Sequence, residues 1–135
     1  MQFSQDQDPS SYRIRAYQSG RIDIVVPLTH GPEAARSLTL TESFIMTPDT
    51  LVRDWPPQHP DHLQQDHLEI LLELRPEVVL LGTGERLIFP PQPLTATLME
   101  SGIGVEVMDT AAACRTYNIL MHEGRNVAVA LILKS

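Results

Sequence analysis

Three groups of residues in this chain could do chemistry, and each is incomplete. Gly82-Thr83-Gly84 follows the apolar run Val78–Leu81. Glycines at the carboxyl end of a buried strand let backbone N–H groups approach an anion, and open α/β sheets receive ligands there. A dinucleotide fingerprint needs a third glycine at position 87, where Leu87 stands. The chain also continues into Ile88-Phe89-Pro90-Pro91 rather than into a helix, so no helix N-terminus is set to hold a phosphate. A tight turn is the expectation, with a polar small-ligand site as the alternative use of the same residues.

The second group lies on the pattern Thr110–His122. Arg115, Asn118 and His122 are spaced i, i+3, i+7 and share one helix face, while Cys114, Tyr117 and Met121 repeat that spacing on an apolar face. Asn118 in a helix interior is locally unfavourable and predicts a hydrogen bond to a turn or loop. Arg115 and Asn118 then either tie the helix to Gly82–Gly84 or to the Arg125 region, or line a polar pocket or docking surface. The topology predicts that Arg115, Asn118 and the turn share one rim. A nucleophilic Cys114 would need a base; His122 is two turns away on another face, so a buried cysteine is expected.

The third group is His59, His62 and His67 with Asp61 and Asp66. His62 and Asp66 could chelate as a pair, but Pro60 keeps His59 from continuing the helix, and Asp61 fits an N-cap with Gln64 three residues on. Surface imidazoles are expected rather than a metal. Asp54-Trp55-Pro56-Pro57 holds the only tryptophan, either pinned over the sheet or offered to a partner, with packing preferred. The candidates for ligand or partner binding are thus Gly82, Thr83, Gly84, Arg115, Asn118, Arg125 and Trp55. No catalytic residue, metal or cofactor is assigned.

The elements that must position these residues follow from pattern. Tyr12–Gln18 and Arg21–Val26 alternate around Ser19-Gly20, a hairpin signal. Arg36–Thr47 reads as one longer strand, interrupted by Glu42, and His62–Arg75 as a helix ended by Pro76. Val78–Leu81 is apolar on both faces, as a central parallel strand requires. A helix over Pro93–Ser101, a strand Ile103–Met108, the helix Thr110–His122 and a strand Asn126–Leu133 complete the chain. Two strand–helix–strand crossovers favour right-handed connections and an open, mostly parallel sheet. The expected fold is α/β: one three-layer domain over residues 12–135, with the hairpin as an extra layer or edge and residues 1–11 as a flexible tail.

Composition narrows the partners. The chain has 135 residues, one cysteine and a net charge of −7, and residues 54–85 carry seven acids against one base. Such a surface repels a phosphate backbone, so nucleic acid is excluded. No apolar run approaches a membrane span, and the first residues have neither a signal-peptide core nor an Arg-rich transit character. A cytoplasmic protein without membrane insertion is expected.

Leu80-Leu81-Gly82-Thr83-Gly84, Arg115-Thr116-Tyr117-Asn118 and Glu123-Gly124-Arg125-Asn126-Val127 together resemble a known family. It is the small single-domain, Mth-domain type of unknown function that includes mitochondrial complex I assembly factor 3 and the adipogenesis-associated Mth-domain protein. The resemblance runs from Tyr12 to Ile132, with Trp55 where that family also carries tryptophan. It implies a three-layer α/β fold around a mixed sheet and partner work in assembly rather than a demonstrated turnover, and it offers no catalytic residues to carry over. The leading expectation is a non-catalytic interaction or assembly-type module with a polar groove at the strand ends. Two alternatives stand beside it: a small-molecule-binding protein or enzyme using Gly82–Gly84 with Arg115 and Asn118, and a homo-oligomer formed through the Arg36–Thr47 edge.

Overall fold

A computed structural model describes residues 11–27 and 37–134. The predicted flexible tail lies, but for Ser11, outside them, as does Arg36. The chain builds two sheets. Strands β1 (Arg13–Gln18), β2 (Arg21–Val25) and β3 (Ser37–Leu40) form an antiparallel sheet in that order. The second sheet has five strands, β4 (Phe44–Met46), β5 (Leu51–Val52), β6 (Val78–Thr83), β7 (Gly104–Met108) and β8 (Val127–Ile132). Their order is β5-β4-β8-β6-β7. Strands β6, β7 and β8 run parallel, whereas β4 is antiparallel to β8 and β5 to β4. The mixed, flanked sheet is therefore as expected, and the hairpin is an extra layer rather than an edge.

Alternation along the central strands sorts the core into two. Val78, Leu80, Val127, Val129, Leu131, Phe44 and Met46 pack with the hairpin residues Ile14, Ile22 and Ile24 and with helix α3 (Thr110–His122). Val79, Leu81, Ala128, Ala130, Ile132 and Ile45 face the opposite way. They meet Trp55, Leu63, helix α1 (Glu69–Leu74) and helix α2 (Gln92–Glu100). Every residue of β6 and of β8 is buried, the pattern of strands covered on both faces.

Two expectations need correction. The strand Arg36–Thr47 is not continuous: β3 belongs to the first sheet and β4 to the second. The apolar row Leu38, Leu40, Phe44, Met46 keeps its period of two because both sheets contribute to one core, and exposed Glu42 lies at the step between them. The helix His62–Arg75 is broken into 3₁₀ turns at Pro60–His62 and Gln65–Leu68 before α1. His59, not Asp61, caps the first turn, its Nδ1 accepting from the Asp61 N–H at 3.1 Å. Leu63 then takes extended backbone (φ −63°, ψ 132°), and a second start follows with the Gln64 N–H donating to His67 Nδ1 at 3.0 Å. Helix α1 ends at Arg75 in left-handed backbone, φ 52°.

Candidate functional site

The Gly-Thr-Gly segment is built into the joint between β6 and α3. Gly82 sits on the α3 side of β6, where a Cβ would lie 2.7 Å from Leu131 Cδ2 and 3.1 Å from the Thr110 Cα. The missing side chain lets the first turn of α3 rest directly on the strand. Thr110 then fixes the turn from both sides. Its N–H donates to the Gly84 carbonyl at 2.8 Å, and its Oγ1 accepts from the Gly84 N–H at 2.8 Å while donating to the Ile132 carbonyl at 2.6 Å. Gly84 turns at φ 102°, a region open to glycine and costly for other residues. Asp109 caps α3, accepting from the Ala112 N–H at 2.8 Å. The Gly84 N–H that an anion would need is already engaged.

Thr83 points to the other face and is fully buried. Its Oγ1 donates to the Arg86 carbonyl at 2.6 Å and accepts from the Ile88 N–H at 3.1 Å. These bonds fold the segment 85–91 back over the carboxyl end of β6. The segment starts near the hairpin layer, where burial and then the charge of Glu85 raise the Tyr17 hydroxyl above its ordinary pKa. It ends at buried Pro90, packed with Leu94, Leu98, Leu68 and Leu71 around a void of about 10 Å³, room for one water at most. Between these anchors Leu87 is 50 % and Phe89 71 % exposed. At the end of β6, space that open α/β sheets leave for ligands is taken by the chain's own loop, which exposes Glu85 and Arg86 together with Leu87 and Phe89.

The other sequence-predicted residues are not gathered at this end. Asn118 bonds β1: its Oδ1 accepts from the Ile14 N–H at 2.9 Å and its Nδ2 donates to the Ile14 carbonyl at 2.7 Å. Beside it Tyr117, buried on the sheet face, donates through its hydroxyl to the Tyr12 carbonyl at 2.7 Å. Burial holds that phenol well above its ordinary pKa. Arg115 is exposed, some 140° around α3 from Thr110, and has no described hydrogen bond or ion pair. Arg125 lies at the opposite end of the strands, with Nε 3.3 Å from Glu77 Oε1. Asn126 adds its N–H to Glu77 Oε1 at 3.0 Å and its Nδ2 to the Arg75 carbonyl at 3.1 Å. Trp55 is 3 % exposed, with Nε1 donating to the His67 carbonyl at 3.0 Å.

Cys114 is 3 % exposed, and burial pushes its thiol up to about 12 against the opposing charge of Arg115. A thiol so held is the inert kind. Among the described residues no three His, Cys, Asp or Glu side chains are grouped as metal ligands would be. An open cleft of about 320 Å³ lies between Thr39–Glu42 and Arg53–Asp54, next to the start of β4, which pairs with the carboxyl end of β8. Two functional features escaped sequence reasoning. Thr110 was legible only as a helix start, and the exposed loop carried its signal in Leu87-Ile88-Phe89, apolar residues ahead of a Pro-Pro pair.

Comparison with known proteins places this architecture. A family model described as a protein of unknown function (DUF498/DUF598) matches residues 14–132. The mouse NADH dehydrogenase [ubiquinone] 1 alpha subcomplex assembly factor 3 is 36 % identical over 132 residues, covering 95 % of this chain and 64 % of that protein. The 13 kDa major membrane protein of Francisella tularensis subsp. holarctica is 37 % identical over 70 residues, 52 % of this chain and 57 % of its own length. The chain thus spans less than two thirds of these curated relatives. The solution structure of a Bordetella pertussis protein, a Mth938-like domain, superposes with a TM-score of 0.77 at 30 % identity, covering 100 % of this chain and 94 % of that one. Among the described residues no helix is long and apolar enough to cross a membrane.

Proposed function

This chain belongs to the DUF498/DUF598 family, which includes assembly factor 3 and the Mth938-like domains, and we propose that it is a non-catalytic protein-interaction module of the assembly type. One observation carries the reading. At the carboxyl ends of the strands the loop 85–91 closes over Thr83 and turns Leu87 and Phe89 to solvent. Large apolar side chains offered from an anchored loop suit a protein surface, where desolvating an aromatic anchor supplies much of the affinity. In this reading Leu87 and Phe89 give the groove at the strand ends an apolar portion beside exposed Glu85 and Arg86. A small ligand finds less there, because the Gly84 N–H and the Thr83 hydroxyl are occupied within the fold. The relative named for assembly of an NADH dehydrogenase subcomplex supports the assembly class.

The test is affinity co-purification from the native cell, comparing the wild type with a Leu87→Ser, Phe89→Ser double variant of unchanged circular dichroism. A stoichiometric partner retained by the wild type and reduced at least about tenfold by the double variant, a loss of roughly 1.4 kcal/mol or more, is the expected result. Arg115→Ala should reduce it less. Equal recovery by both forms would remove the loop from the interface, and a wild type that brings down no specific protein would end the assembly reading.

A further inference from the structure

Two edge strands, β1 of the first sheet and β7 of the second, are treated differently. At the start of β1 the outward backbone groups are occupied: the N–H of Tyr12, just before the strand, donates to the Pro48 carbonyl at 2.8 Å, the Tyr12 carbonyl accepts from Tyr117, and both Ile14 groups meet the Asn118 amide. Helix α3 has in effect given β1 a surrogate neighbour. Strand β5 needs little protection because it is two residues long. Strand β7, by contrast, is a five-residue edge paired only with β6. The Gly104 N–H donates to the Glu77 carbonyl at 3.0 Å, so Gly104, Glu106 and Met108 turn their backbone groups toward β6. Val105 and Val107 therefore direct theirs outward, and no hydrogen bond from a described residue meets them. Their side chains pack on the α2 face, while exposed Glu106 stands on the other.

An open edge of this length is a template for another strand. The charge on it decides which strand. In the full-overlap antiparallel pairing of two copies, Val105 lies opposite Val107 of the second chain, and Glu106 lies directly opposite Glu106. That is a non-hydrogen-bonded pair, with Cα atoms only about 4.5 Å apart and both carboxylates on one face. Like charges placed so are destabilising, and opposite charges stabilise the same geometry. No basic side chain occurs on β7, and the chain as a whole carries −7.

We propose that the outer edge of β7 accepts an extended strand from a partner protein with Lys or Arg opposite Glu106, and that Glu106 bars the pairing of two copies. The pairing uses outward backbone groups of Val105 and Val107 rather than the Leu87 and Phe89 side chains, so different variants test the two readings and they fail independently.

The probe is this chain itself, presented as a basic strand. Wild type and a Glu106→Lys variant are mixed and followed by sedimentation and by residue-resolved hydrogen exchange. The mixture is expected to form a 1:1 species at least about ten times tighter than either chain's association with itself, with slowed exchange at the Val105 and Val107 amides. Val107→Pro in both chains removes an outward donor without touching the β6 ladder, and should abolish that species. Should the proline variants fail to fold, exchange at Val105 and Val107 in the unsubstituted mixture still decides. A mixture no more associated than its components, or a complex whose formation leaves both amides unprotected, would overturn the proposal.

Discussion

The two faces of the five-stranded sheet are held by different physics. On the α1 and α2 side the contact is mainly apolar and includes buried Trp55, whose indole donates to the His67 carbonyl. On the α3 side, named polar atoms set the geometry. Thr110 locks the turn, while Tyr117 and Asn118 hold the hairpin sheet. Apolar burial is non-directional and cooperative, whereas a side-chain amide specifies one strand at one register. The first face should therefore govern global stability, and the second should govern where the hairpin layer sits.

Removing Trp55 is the largest expected break. Trp55→Ala removes a side chain only 3 % exposed from the cluster on this face, at a cost of about 3–5 kcal/mol. Chemical denaturation should show that loss with a single transition, and a variant within about 1 kcal/mol of wild type would mean that this side collapses to fill the hole. The α3 face should respond differently. Asn118→Ala leaves the half-buried Ile14 N–H and carbonyl without their partner, worth about 1–3 kcal/mol. Because those groups belong to the hairpin, exchange at Ile14 should accelerate more than exchange in β6 or β8. A uniform acceleration would show that the two layers unfold as one unit.

How far the sequence discloses these roles differs between the faces. The apolar run Val78–Leu81 and the pattern of the helix Thr110–His122 are local, and burial on both sides of β6 follows directly from residue type. The hairpin is likewise local, since Ser19-Gly20 sits between two alternating runs. Partners distant in sequence are not so disclosed. An asparagine inside a helix announces that it bonds something, yet only the docking of the hairpin onto α3 makes that something Ile14, 104 residues away. The expectation that Asn118 and Arg115 would meet Gly82–Gly84 fails to account for the rotation of α3, which turns Thr110 rather than Arg115 onto the sheet. Two sheets sharing one core explain why Leu38–Met46 imitates a single strand. Strand-end position drew the prediction to glycines, while the exposed group there is the loop beyond them.

The smallest expected effect sharpens the comparison at the opposite end of the strands. Glu77 joins the start of β6 to the start of β8 through Arg125 and Asn126, at the surface, where neither burial nor packing assists. Arg125 first, and then the Asn126 N–H, lower its carboxyl below the ordinary 4.5. A pKa lowered by folding contributes stability that is present above the unfolded value and lost as pH falls through the folded one. Melting temperature should thus drop more steeply on acidification in the wild type than in Glu77→Gln, and the gap between the two should close below the depressed pKa. Added salt should weaken only the Arg125 part of this difference, because the exposed ion pair is screened while the Asn126 hydrogen bond keeps its geometry. Parallel acid limbs in the two proteins would show that the clip is equally stable with a neutral amide. Registration of β6 against β8 would then rest on their backbone ladder, the Glu77 N–H to the Asn126 carbonyl included, and on the buried side chains of the two strands.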